Sequence, residues 1–320
     1  MEHFDFTVIG TAASVSVFKV DKMPESGAST PVYEGSVSNF QNGGMGFNIC
    51  AGLTSIGCSV YPVLTYADSR QKTFLHDYFK AYSLPEDGID DPPEGSNGTT
   101  IMIQDSEKNH MTLVTEYDHR RIDSDYFHKQ KMEKKFFENS DYVILTAPLP
   151  KNTEAAINAI IESGKKFVLS MRKDKNAFPH DLLYKALINA HYLFANEKEV
   201  EFIEKEYGLK NIEDLFSFGK LCVIAKTLGK DGSLVICKDS NGKVQNITIP
   251  TVSPTVPIAD TVGAGDGYVC GFMYGVKNGK TLTECAKLGS TFSSFVLEKE
   301  GSVTNLPTEK GLLERYKREI

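Results

Sequence analysis

From Tyr142 onward the chain alternates short apolar runs with amphipathic segments of helical spacing, and this rhythm constrains the fold more than any other feature. Tyr142–Leu145, Lys166–Leu169, Tyr192–Phe194, Leu221–Ala225 and Leu234–Ile236 read as strands. Asn152–Ser163 and Asp181–Asn189 read as helices between them. Parallel neighbours need a crossover of about a dozen residues, most simply a helix. The rhythm therefore predicts βαβ units and a three-layer α/β/α sandwich with a mostly parallel central sheet. It begins near the N-terminus. Phe6–Ile9 is a strand. Gly43-Gly44-Met45-Gly46 opens a helix with Ile49, Leu53 and Ile56 on one face, and Gly57 stops it. Val60–Leu64 and Thr73–Tyr82 are the next strand and helix.

Three pieces break the pattern. Ser14–Phe18 reads as a strand and the serine-rich Val32–Phe40 as an exposed strand. Thr99–Gln104 and Met111–Glu116 form a hairpin about a polar turn. They predict a small protruding β lid, built discontinuously from about 14–41 and 98–118, on a single domain covering 1–320. Asp87–Asn97 reads as a loop. His128–Glu138 reads as a charged amphipathic helix whose lysines form a solvated face.

Lys plus Arg number 35 and Asp plus Glu 42, a net charge of −7. That balance argues against binding nucleic acid or an anionic membrane. No apolar window is long enough to span a bilayer, and MEHFDFTVIG lacks the basic-then-apolar order of a signal peptide. The six cysteines form no C-x-x-C pair and mostly sit in apolar runs. They read as reduced, buried thiols of a cytoplasmic protein. Gly275–Thr281 imitates a P-loop but has one residue too few between its glycines and follows a helix. Gly44-Met45-Gly46 lacks the third glycine of a dinucleotide fingerprint.

The strongest chemical signal is Asp260-Thr261-Val262-Gly263-Ala264-Gly265-Asp266, followed by a helical stretch. Small residues before a helix leave backbone N–H groups free, and with the helix dipole these form an anion hole. Asp266 stands beside that hole, where it can take a proton from an attacking hydroxyl, as phosphoryl transfer needs. A glycine-rich turn with a capping Asp has the same spacing. Asn196 and Glu199 equally suit a capping box.

The heptad resembles the C-terminal signature of the PfkB, or ribokinase-like, family of carbohydrate and nucleoside kinases. Gly43-Gly44-Met45-Gly46-Phe47-Asn48 resembles that family's N-terminal signature, Asn196-Glu197-Lys198-Glu199 its NxxE motif, and Thr227-Leu228-Gly229 with Gly232 its TLGxxG segment. The resemblance implies the ribokinase-like fold and an ATP-dependent phosphotransferase with a hydroxymethyl acceptor on a sugar or sugar-like molecule. A nucleoside acceptor is the alternative within the family, and a catalytically silent sugar or nucleotide sensor the alternative outside it.

The resemblance also implies roles. Asp266 would be the general base, with Gly263, Ala264 and Gly265 lending amides to the transferred phosphoryl group. Asn196, Thr227, Gly229, Gly232 and Thr261 would bind ATP, and Glu199 would organise Mg²⁺ through water. Gly43, Gly44 and Asn48 would hold the acceptor, and Arg172 could meet an anionic group on it. A monovalent-cation requirement stays open, as does a homodimer formed through the lid. The acceptor side departs from the family pattern. Val15 stands where a sugar-binding Asp is common, Ala13 where an Asn is, and Ala67 where a Gly is.

Overall fold

The computed structural model describes residues 3–318 apart from 37–39, 93, 97, 108, 115–131, 147–149 and 240. In chain order the first half contains β1 (Phe4–Thr11), β2 (Ala13–Val20), β3 (Val32–Glu34), β4 (Gln41–Gly43), α1 (Met45–Ser55), β5 (Val60–Thr65), α2 (Lys72–Ala81), β6 (Ile89–Asp90), β7 (Thr100–Gln104) and β8 (His110–Val114). The second half contains the single turn α3 (Lys135–Glu138), β9 (Ser140–Leu145), α4 (Pro150–Ser163), β10 (Lys166–Ser170), α5 (His180–Asn189), β11 (Tyr192–Asn196), α6 (Glu197–Tyr207), β12 (Val223–Thr227), β13 (Ser233–Lys238), β14 (Val244–Ile249), α7 (Ala264–Lys277), α8 (Leu282–Val296) and α9 (Glu309–Arg318).

Nine strands form the main sheet in the order β14-β13-β12-β11-β10-β9-β1-β5-β6. Pairing is parallel from β12 to β6, and β13 and β14 add antiparallel strands at one edge. Because side chains alternate across a strand, each central strand feeds two cores. Phe6 and Val8 of β1, Ile144 of β9 and Val168 of β10 join α1, α7 and α8 on one face. Val143 and Leu145, Phe167 and Leu169, and Leu193 join α4, α5 and α6 on the other. This is the expected three-layer sandwich.

A second sheet runs β3-β2-β7-β8, with β4 paired to β2. The sequence reading places a strand over Val32–Phe40. Among the described residues the strand covers Val32–Glu34, residues 37–39 of that reading lie outside them, and β4 follows at Gln41–Gly43. The loop expected at Asp87–Asn97 contains β6, a two-residue edge strand. The helix expected over His128–Glu138 falls partly outside the described residues; within them only its last turn, α3, is helical. Five of the six cysteines are buried as expected, but Cys222 is exposed. No helix of the described residues is long and apolar enough to cross a membrane.

Helices α7 and α8 touch backbone to backbone. A Cβ on Gly271 would lie 2.3 Å from the Leu288 carbonyl oxygen, and one on Gly289 would lie 2.8 Å from that of Tyr268. A methyl group at either place forces the helices apart. Gly271→Ala is expected to lower the unfolding free energy by about 2–3 kcal/mol. Urea denaturation measures this, and an unchanged midpoint would show that the pair separates without cost.

Candidate active site

The loops that follow parallel strands meet at one edge of the sheet, where open α/β folds form their crevice. Strand register brings the sequence-predicted residues there. Asn196, last residue of β11, lies opposite Thr227, last residue of β12. Arg172 lies two residues past the end of β10. Beyond Thr227 the chain turns through Gly229 and Gly232, both at positive φ (60° and 90°). A Cβ on Gly232 would sit 2.1 Å from the Ile249 carbonyl oxygen, so only glycine fits that turn.

The glycine-rich heptad leads directly into α7. Gly263 is its N-cap, at φ 80°, with no side chain capping the first turn. The first-turn N–H groups therefore have no partner within the helix. Gly265 is exposed, and a Cβ added there would meet nothing within 4 Å, so there is room for an anion over the helix start. Asp260, 5% exposed, holds the turn in shape. Its Oδ1 accepts from the Thr261 and Val262 backbone N–H groups at 2.7 and 3.1 Å and from Gln104 Nε2 at 2.9 Å. Its Oδ2 accepts from Gly301 N at 3.1 Å.

Asp266 sits in the first turn of α7, half-buried. Its Oδ2 accepts a hydrogen bond from Asn48 Nδ2 at 2.7 Å, and Asn48 Oδ1 accepts one from Ser302 Oγ at 2.8 Å. Burial pushes the Asp266 carboxyl up to about 6, opposed by the Asn48 hydrogen bond and the Arg172 charge. Asp266 is thus a carboxylate near neutral pH, yet more basic than an exposed one. Arg172, half-buried, is in electrostatic range of both Asp266 and Glu199.

Gly43 and Gly44 stand across from this group. A Cβ on Gly43 would lie 3.2 Å from Val15 Cγ2 and 3.4 Å from Ser302 Oγ. Gly44 is at φ 96°, and a Cβ there would strike the Thr11 carbonyl oxygen at 2.6 Å. Val15 thus puts an apolar side chain beside Gly43, next to the polar Ser302 Oγ and Asn48 Oδ1.

Asn196 and Glu199 form the capping box that their spacing allows. Asn196 Oδ1 accepts from Glu199 N at 2.9 Å, and Glu199 Oε2 accepts from Asn196 N at 2.7 Å. Burial pushes the Glu199 carboxyl up to about 7. The backbone N–H groups of Asn196 and Lys173 oppose the rise, the Asp266 charge aids it, and Arg172 opposes it.

The structure therefore brings Asn48, Arg172, Glu199 and Asp266 together, with Asn196, Thr227, Gly229 and Gly232 along the neighbouring strand ends. Two contributors were missed from sequence. Gln104 reaches Asp260 from the second sheet, and Ser302 joins Gly43, Gly263 and Asn48. Only their distant partners reveal them; no local spacing marks either.

A family model described as pfkB family carbohydrate kinase matches residues 6–309. The chain is 23% identical over 312 residues to a nucleoside kinase of Methanocaldococcus jannaschii, covering 98% of this chain and 96% of that one. The crystal structure of that kinase, titled an archaeal member of the ribokinase family, superposes with a TM-score of 0.77 over 98% of both chains at 21% identity. The Burkholderia thailandensis nucleoside kinase in complex with inosine superposes at 0.77, with 18% identity and 98% of both chains covered. Arabidopsis thaliana ribokinase complexed with ribose and ATP superposes at 0.74, with 16% identity and 99% of both chains covered. These likenesses show the ribokinase fold.

The capping box separates two roles of one motif. Asn196→Ala is expected to cost about 1 kcal/mol of stability, the usual effect of losing an N-cap. Glu199→Gln keeps a capping side chain at the third helical position and is expected to stay within about 0.5 kcal/mol of wild type. Urea unfolding of both variants checks this; a larger loss for Glu199→Gln would mean its charge is structural.

Proposed function

Because the chain belongs to the pfkB family of carbohydrate kinases, we propose that Asp266 is the general base in transfer of the γ-phosphoryl group of ATP to a primary hydroxyl of a sugar or nucleoside. The observation that carries this reading is a half-buried carboxylate, raised by burial, in the first turn of a helix whose start is open and uncapped. A hydroxyl beside Asp266 loses its proton to the carboxylate as the bond to phosphorus forms. The Gly265 and Asp266 amides would stabilise the charge on the transferred group, while the Ala264 amide, expected to share that role, donates instead to the Thr261 carbonyl at 3.3 Å. Positioning and electrostatics do the rest, since phosphoryl transfer asks little covalent chemistry of the protein.

Thr227, Gly229, Gly232 and Thr261 would line the nucleotide, together with Asn196. No group of three or more His, Cys, Asp and Glu that could hold a metal occurs among the described residues. Two oxygen-bearing side chains, those of Glu199 and Asn196, would orient Mg²⁺ through water, as suits an ion that keeps much of its hydration. When bound with the nucleotide, the ion supplies charge neutralisation to the phosphates. Gly43, Gly44 and Val15 would face the acceptor. The second sheet would act as a lid, and its exposed Val32, Tyr33, Met111, Leu113 and Val114 support pairing with a second copy. All six cysteines are free, which supports a reducing cytoplasmic setting.

A nucleoside acceptor is favoured by the relatives whose names state one. The test is ADP release with Mg·ATP across ribose, fructose, 2-keto-3-deoxygluconate, adenosine and other nucleosides. One acceptor is expected to dominate. Asp266→Asn is expected to lower its kcat at least about a hundredfold, with ATP affinity within a few-fold of wild type. Below pH about 6 Asp266 is protonated and cannot accept a proton, so kcat/KM is expected to rise with pH through that value. ATP binding with no turnover of any acceptor would replace the kinase reading with that of a silent sensor.

A further inference from the structure

We infer that Ser302 is a positioning residue for the base, holding the Asn48 amide so that its N–H meets the Asp266 carboxylate. This rests on the reading of Asp266 as the base. The Asn48 amide has two orientations. In one, Nδ2 donates to Asp266; in the other, Oδ1 would face the carboxylate and repel it. In the structure Oδ1 is occupied by the Ser302 hydroxyl at 2.8 Å while Nδ2 reaches Asp266 at 2.7 Å. Both Asn48 and Ser302 are 7% exposed, so little water is at hand to replace either bond.

Ser302 is fixed by groups that do not belong to the base. A Cβ on Gly263 would lie 2.5 Å from Ser302 Cβ, so the serine packs directly on the anion turn. The neighbouring Gly301 N–H is tied to Asp260 Oδ2 at 3.1 Å. The hydroxyl therefore has a set position before any ligand arrives; the carboxylate, which only accepts, selects the Nδ2 side of the amide, and donation from Ser302 to Oδ1 holds the amide in that orientation. Donation to Oδ1 also polarises the amide and strengthens its own N–H donor. The charged and titratable groups facing Asp266 are Arg172 beyond β10, Glu199 on α6 and Cys270 one turn along α7. Ser302 hydrogen-bonds to none of these, so its influence on Asp266 passes through Asn48.

Without the hydroxyl the Asn48 donor is loosened, the carboxylate is less stabilised, and Asp266 titrates at higher pH. The full chain, carrying carbon-13 in its aspartate carboxyls, is titrated by NMR, with the Asp266 resonance assigned by its loss in Asp266→Asn. Ser302→Ala is expected to move the Asp266 midpoint up by about half to one pH unit. The acid limb of kcat/KM should move by the same amount, with KM for ATP unchanged. In an Asn48→Ala background the same serine substitution is expected to move nothing further. Should Ser302→Ala not fold, Ser302→Cys keeps the volume with only a weak donor and is read the same way. An unmoved midpoint, or an equal movement without Asn48, overturns the inference. A midpoint that moves as expected in a protein that turns over no acceptor leaves the hydrogen-bond chain in place and removes the kinase reading instead.

Discussion

The active edge of this protein depends on how one buried carboxylate is satisfied. An ionised group taken out of water without partners costs several kcal/mol. Asp260 meets that cost with four donors, drawn from its own turn, from Gln104 on the second sheet and from Gly301 near the C-terminus. Three segments far apart in sequence are thereby pinned at one point. The turn through Gly263, the open start of α7 and the placement of Ser302 all follow from it. A second link runs beside the first, where Lys19 of β2 pairs with Glu300, next to Gly301, and with Glu34 of β3.

Around that anchor the site is assembled from element ends. Strand register sets Asn196 against Thr227, and α7 presents Asp266 one turn from its N-cap. Close backbone packing keeps α7 in place, since glycines at 271 and 289 let its backbone meet that of α8. The electrostatics are equally local. Asp266 and Glu199 are both raised by burial, and Arg172 works against the rise in each. Two carboxylates and one guanidinium thus share one small, partly dry volume.

The main sheet was legible in sequence because βαβ units bury both faces of each strand, and near-continuous apolar runs announce that. The four motifs were legible because each lies within a few residues of chain. The capping box at Asn196 and Glu199 was open to two readings, and the structure shows its hydrogen bonds formed. What escaped was non-local or weakly patterned. The antiparallel β14 is mostly exposed, so its alternation carries little signal. Helices α8 and α9 follow the last motif and were not singled out. Val32–Phe40 is rich in small polar residues, which left its length open, and among the described residues the strand is three residues long. Ser302 sits in an ordinary polar loop, and its bond to Asn48 spans 254 positions.

That separation bears on how the protein is made. Asn48 and Asp266 lie 218 positions apart and Asn48 and Ser302 lie 254 apart. A chain emerging from the ribosome exposes its glycine loop and Asn48 early, long before the segment that completes the site exists. Until the last fifth of the chain has been synthesised and docked, there is neither carboxylate nor anion hole, however well the earlier βαβ units have formed. The growing polypeptide consequently carries only part of the proposed site, the glycine loop first. The proposed site comes into being only when the segments carrying Asp266 and Ser302 dock against Asn48.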